Sequence, residues 1–151
     1  MKYLKIIGTF LLIFAIYATP GLIWQDRSFY ESLNKPSFAF KPYIFQIMWI
    51  ILFLINALYL TYKLQKKELN KELRASFVMN YFFMLFFNIA FFEFHQLFLG
   101  FSLTLLSFSS GIIIFIFLLK ENRYEASIIT PYLLWTLLAT ILSGHIYFIN
   151  P

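Results

Sequence analysis

Five long apolar runs divide the chain, at about residues 3–24, 42–62, 75–94, 97–119 and 126–149. Each is near the roughly 20 residues that cross a hydrocarbon core about 30 Å thick. Polar residues gather between them. The connector 25–41 carries Asp26, Arg27, Glu31, Lys35, Pro36 and Lys41, interleaved with Phe29, Tyr30, Phe38 and Phe40, so it is amphipathic. Pro42 suits the first turn of a helix, where its missing N–H costs little. Residues 63–74 are the most polar stretch, Glu93, His95, Gln96 and Gly100 mark a tight reversal, and 120–125 form a short hydrophilic link. Thr19, Pro20 and Gly21 predict a kink or frayed end in the first span. Strands are the rival reading, since Phe, Tyr and Ile favour sheets. A membrane barrel alternates apolar and polar residues in segments of about 10, however, and these runs are continuous and about twice as long. The pattern therefore predicts an all-α integral membrane protein, a five-transmembrane-helix bundle forming one domain over residues 1–151. The first run exceeds the 7–15-residue core of a signal peptide, and no small-residue cleavage site follows it, so it is expected to be retained.

Composition narrows what such a bundle can do. Of 151 residues, 61% are hydrophobic and 13% charged, with a mean hydropathy of +0.75. Soluble domains are about 45–50% apolar and about 25% charged, which excludes a soluble enzyme. The wealth of aromatic residues excludes disorder. The spans use about 100 residues, leaving no room for a soluble domain. Cysteine is absent, which removes disulfides, thiol nucleophiles and thiolate metal sites. The net charge is +5. Lys2, Lys5, Lys63, Lys66, Lys67, Lys71, Arg74, Lys120 and Arg123 fall on one side of a five-span topology, and Arg27, Lys35 and Lys41 on the other. The positive-inside rule then predicts a cytoplasmic N-terminus, an outer C-terminus and an outer 25–41 connector. Charges placed this way serve topology and anionic lipid contacts rather than nucleic acid.

Little at membrane depth can do acid–base chemistry. The polar residues there are Asn, Ser and Thr, among them Asn56, Asn80, Asn88, Ser107, Thr136 and Ser143, with no Asp, Glu, Lys or Arg in mid-span. Ion-coupled transporters keep ionisable groups at that depth. Paired carboxylates and a Ser–His–Asp set are likewise missing. His95 and His145 map to the same outer side, where a shared metal or heme-iron site competes with the blander reading of interfacial polar residues. The bland reading is favoured, because imidazole ligands need further fixed partners. Trp24 fits an interfacial belt. Trp49 and Trp135 lie about 10 Å and roughly 13 Å into their spans, deeper than headgroup level, where an indole N–H needs a partner. Ser107 with Gly111, and Ala139 with Ser143, have the small-xxx-small spacing that lets membrane helices approach closely. Packing within the bundle is favoured over a dimer seam.

Two stretches carry a resemblance. One runs Leu33-Asn-Lys-Pro-Ser-Phe-Ala-Phe-Lys-Pro-Tyr-Ile-Phe-Gln-Ile-Met-Trp49. The other is Pro131-Tyr-Leu-Leu-Trp135, followed by Ala139 and Asn150. With five spans in this length, the whole chain resembles the TspO/MBR family, the bacterial tryptophan-rich sensory proteins and the mitochondrial translocator protein. It departs from the family's Trp-Thr-Pro-Pro after Lys-Pro, reading Phe38, Ala39, Phe40 and Lys41, with the proline at Pro42. Tyr43 stands at a frequent Trp, Met84 and Phe87 at a usual Asn and Trp beside Asn88, and Ser143 at a usual Asn. The resemblance implies a pocket under the 25–41 loop that binds protoporphyrin IX or a heme-like tetrapyrrole, with sterols or benzodiazepine-type drugs in some members. It also implies frequent homodimers and, here, a place in a bacterial cell membrane. By the resemblance Trp49 and Trp135 line the pocket, with Tyr43, Phe38, Asn88 and Ser143 as further lining residues. Arg27, Lys35 or Lys41 are suited to neutralise the propionates. No cofactor is required; the porphyrin is the ligand, and no metal ligands are expected. Three functions follow: porphyrin sensing, transport or disposal; light-dependent porphyrin degradation, with Trp49 and Trp135 taking part; or a regulatory membrane subunit with no small ligand.

Overall fold

The computed structural model describes residues 2–151, which form six α-helices and one π-helical turn. They are α1 (Lys2–Ile23), α2 (Arg27–Ser32), α3 (Pro42–Lys66), α4 (Lys71–Asn88), α5 (Leu97–Glu121) and α6 (Arg123–Ile149). The π turn, Ile89–Glu93, continues α4. All but α2 are long and apolar enough to cross a membrane, with the third span running Lys71–Glu93. No strand occurs among the described residues. The protein is an integral membrane protein of five helical spans.

The helices are longer than hydropathy alone predicts. The second span continues past residue 62 to Lys66, and the third starts at Lys71 rather than 75. The fourth ends at Glu121 rather than 119, and the fifth begins at Arg123 rather than 126. Local chemistry sets these ends. Asn70 caps α4 by accepting from the Leu73 N–H at 2.8 Å, and Asn122 caps α6 by accepting from Tyr124 N–H at 2.9 Å, the usual role of Asn before a first turn. Lys67, at φ 57°, ends α3 in the left-handed region. The Glu68 N–H then reaches Lys63 O at 3.0 Å and the Lys67 N–H reaches Leu64 O at 3.2 Å, a Schellman closure. The first span does not fray at Thr19–Gly21: α1 runs through Pro20 to Ile23, and Pro20 is fully buried.

Packing is tightest between α5 and α6. A Cβ on Gly111 would come within 2.9 Å of Leu133 Cδ2, and one on Gly144 within 3.0 Å of Phe101 Cε2. Those glycines let the two helices touch. Ala139 and Ser143, expected to serve that approach as a small pair, border open space, with Ser143 Oγ also 2.7 Å from Thr104 Oγ1 of α5. Below this level a polar web joins α4, α5 and α6. Tyr132 OH donates to Asn80 Oδ1 at 2.6 Å, and Asn80 Nδ2 donates to Ser107 O and Ser110 Oγ, both at 2.8 Å. Satisfied in this way, a buried amide is tolerated in hydrocarbon.

The half of the bundle toward residues 63–74 is solid. Leu73, Phe77, Ile114, Leu118, Ala126, Ile129 and Tyr59 are buried there. Lys63 closes that end. Though expected in a solvated segment, it is 3% exposed. Its Nζ lies 2.8 Å from Glu125, 3.2 Å from Glu121 and 3.7 Å from Glu68. Tyr59 OH donates to Glu125 at 2.7 Å, and Asn70 Nδ2 to Glu121 at 3.0 Å. The cluster ties α3, α5, α6 and the α4 cap together.

Candidate functional site

The other half is hollow. A cavity of about 490 Å³ opens there, bordered by all five spans and by the connector after α1. Its size falls in the range of roughly 300–1,000 Å³ found for small-molecule sites. Phe45, Trp49 and Phe53 of α3 form one wall, and Phe87, Asn88, Phe91 and Phe92 of α4 and the π turn another. Thr104 and Ser107 of α5, and Thr136, Ala139, Leu142, Ser143 and Ile146 of α6, complete it. The π turn widens the helix by one residue per turn where Phe91 and Phe92 meet the cavity. Phe94 N–H reaches Ile89 O, five residues back, at 3.1 Å, and beyond the turn Gln96 N–H folds back to Ala90 O, six residues away, at 2.9 Å. Such single π turns are frequent at functional sites.

The connector covers the mouth and is pinned down. Asp26 caps α2 by accepting from the Phe29 N–H at 3.0 Å, and its other oxygen lies 3.3 Å from His95 Nε2. His95 also stacks on Phe29, with ring centroids 3.9 Å apart. The Ser28 hydroxyl, then the Phe29 N–H, hold the Asp26 carboxyl below its ordinary range. Lys35 Nζ donates to Tyr30 O, Leu33 O and Glu31 O at 2.8, 2.7 and 3.0 Å. Asn150 exchanges two bonds with the Asn34 backbone, at 2.8 and 2.9 Å. The connector presents Arg27 and Tyr30, three residues apart on α2, to the cavity. The Tyr30 hydroxyl is buried without a partner, and burial pushes its pKa up.

The expected site residues separate by position. Trp49 lines the cavity, stacked on Phe53 at 5.5 Å and set edge-on to Tyr132 at 6.4 Å. Asn88 and Ser143 also line it, though each has a partner: Asn88 Nδ2 donates to Met84 O at 2.9 Å, and Ser143 Oγ lies 2.7 Å from Thr104 Oγ1. Trp135 is not on the wall. It stands one layer back, stacked on Phe40 at 6.0 Å and tilted against Phe45 at 5.4 Å, with its Nε1 buried and unpartnered. Phe38 and Tyr43 stand outside the lining and are 44% and 55% exposed. Phe38 packs edge-on against His145 instead. Of the three cations, Arg27 alone borders the cavity, since Lys35 is spent on the α2 carbonyls and Lys41 precedes α3 outside the lining. His95 and His145 engage different partners, Asp26 and Ile141 O. Among the described residues no group of His, Cys, Asp or Glu gathers as metal ligands. The sequence reading missed Tyr30, Phe45, Phe87, Phe91 and Phe92. A spacing of three and four from Met84 through Phe87, Asn88 and Phe91 was the available signal for the α4 wall.

Five apolar helices around an aromatic cavity, roofed by a tethered connector, define an integral membrane protein whose working space is the bundle itself. The chain belongs to the TspO/MBR family: a sequence model described by that name matches residues 8–149. It is similar to the "Tryptophan-rich protein TspO" of Bacillus cereus, 31% identical over 155 residues that cover 99% of each chain. It is also similar to the "Uncharacterized membrane protein YtaB" of Bacillus subtilis, 29% identical over 158 residues covering 97% of this chain and 98% of that one. It is thus a membrane protein of the tryptophan-rich sensory and translocator kind.

Proposed function

We propose that the cavity binds a tetrapyrrole such as protoporphyrin IX, and that the protein acts in porphyrin sensing, transport or disposal. The observation that carries this reading is a cavity of about 490 Å³ lined by two indoles, Trp24 and Trp49, and by Phe45, Phe53, Phe87, Phe91 and Phe92, with one guanidinium, Arg27, on its rim. A flat apolar ring stacks on such a wall. Its acidic side chains meet Arg27, which forms bidentate pairs with carboxylates. The test is a titration of detergent-purified protein with protoporphyrin IX, read by tryptophan quenching. Saturable binding at low-micromolar ligand is expected, weakened by Trp49→Phe and by Arg27→Gln. Trp135→Phe should weaken it less, because Phe45 stands between that ring and the cavity. Equal affinity in wild type and Trp49→Phe sinks the site, and no binding at all favours a regulatory subunit without a small ligand. Loss of the porphyrin band under light in wild type, but not in Trp49→Phe, would add degradation to binding.

The same reading sets the protein in a bacterial cell membrane with its N-terminus in the cytoplasm and the cavity mouth outside. Its support is the concentration of Lys and Arg at the Lys63 end. The chain has no cysteine, so Ser37→Cys gives a single label site on the connector. A membrane-impermeant maleimide is expected to label it on intact cells; labelling only after lysis reverses the orientation.

A further inference from the structure

A second recess lies far from the cavity, on the outer face where α1 meets α3 near the Lys63 end. It encloses about 410 Å³ and is walled by Ile6, Ile7 and Phe10 of α1 and by Leu58, Thr61 and Tyr62 of α3, with Gln65 and Lys66 at its rim. The α3 members recur at three- and four-residue spacing, so they form one stripe. Two features separate this recess from ordinary lipid-facing surface. Thr61 is 5% exposed, and its Oγ1 is buried with no hydrogen-bond partner. A Thr in a helix usually donates to the carbonyl one turn back, as Thr9 and Thr19 do here. An unmade bond in an apolar groove points to an acceptor supplied from outside. The second feature is the Lys66 ammonium, held 4.6 Å from the Tyr62 ring centre at the rim. The nearby Glu68 is engaged with Lys63, and among the described residues no acid lines the groove.

We infer that this groove is a specific site for an anionic glycerophospholipid. Lys66 takes the phosphate, Thr61 donates to an ester carbonyl, and an acyl chain lies on Ile6, Ile7, Phe10 and Leu58. Thr61 and Lys66 both line the groove, and the Lys66 ammonium is held at the ring of Tyr62, the residue next to Thr61. Charge fits as well, because Lys66 stands on the groove's rim with Lys5 next to Ile6, and basic residues at a membrane surface select anionic headgroups. The cavity ligand plays no part in this site.

Native mass spectrometry on delipidated full-length protein tests it, with dioleoyl phosphatidylglycerol and dioleoyl phosphatidylcholine as probes. Wild type is expected to retain one phosphatidylglycerol in preference to phosphatidylcholine. Lys66→Gln should lower that preference by about fivefold, the effect of roughly 1 kcal/mol per basic residue near a surface. Thr61→Val, nearly isosteric, should weaken both lipids without changing the preference. Leu58→Trp should block the retained lipid by filling the groove. Lys67→Gln is the control, since Lys67 does not line the groove. The inference is overturned if wild type carries lipids without preference, or if Lys67→Gln costs as much selectivity as Lys66→Gln. Equal melting of the variants and wild type before lipid is added confirms that each is folded.

Discussion

Single side chains here are decided by what covers them, and sequence spacing alone does not report cover. Trp49 and Trp135 are both deep in their spans, and depth was legible from the position of each in its apolar run. That Phe40 and Phe45 would screen Trp135 depends on how the connector folds back, which no local pattern encodes. The same limit applies to Phe38 and Tyr43, whose sequence neighbours lie near the cavity while their own rings turn outward. Asn80 is the converse: a polar residue at membrane depth, with its partners Ser107, Ser110 and Tyr132 on two other helices. Asn80→Leu should lower stability by about 1 kcal/mol, because the Tyr132 hydroxyl loses its 2.6 Å acceptor and keeps only the Ser107 hydroxyl at 3.2 Å, while the Ser107 carbonyl keeps Ser110 Oγ at 2.9 Å. A thermal melt in detergent measures this. An unchanged midpoint would show that the web carries no net stability.

The five spans were readable as elements because hydrocarbon thickness fixes their length. Their ends were not, because hydropathy marks where hydrocarbon stops while helical hydrogen bonding runs on into charged turns such as 63–66 and 71–74. The π turn was equally hidden, since one extra residue in a helical ladder leaves no mark in composition. The short α2 lay in a connector read only as amphipathic, although Asp26 three residues before Phe29 is a capping arrangement. That cap gives the element its own pH dependence. The Asp26 carboxyl is held below its ordinary range, chiefly by the Ser28 hydroxyl. A depressed carboxylate stabilises its element above the ordinary carboxyl range and loses the effect as pH falls through its lowered value. In a protein carrying Trp49→Phe and Trp135→Phe, emission from Trp24 should stay constant at neutral and mildly acidic pH. It should then shift as Asp26 protonates. Asp26→Asn should abolish that transition, and a transition that persists assigns it to another group.

For the whole molecule, the division into a hollow half and a solid half matters more than the number of helices. The Lys63 cluster anchors the solid half, and sequence alone misread it, because a lysine beside other lysines looks solvated until Glu121 and Glu125 arrive from distant helices. Lys63→Met should cost about 3 kcal/mol, the lower end for removing one member of a buried pair, because Glu68 and Glu121 keep contact with water. A melting midpoint within a degree or so of wild type would show that the three carboxylates tolerate one another without the ammonium.

That solid half has a kinetic consequence. Buried side chains outside the lining, among them Leu52, Asn80 and Tyr132, separate the cavity from the Lys63 end, so exchange by the connector mouth alone is a prediction of this layout. In such a blind alley a newcomer cannot push the resident out ahead of it; the resident must depart before the next arrives. The off-rate of a bound molecule is then the same under simple dilution and under chase with excess competitor, and the connector tethered by Asn150 and Asp26 sets the tempo of both.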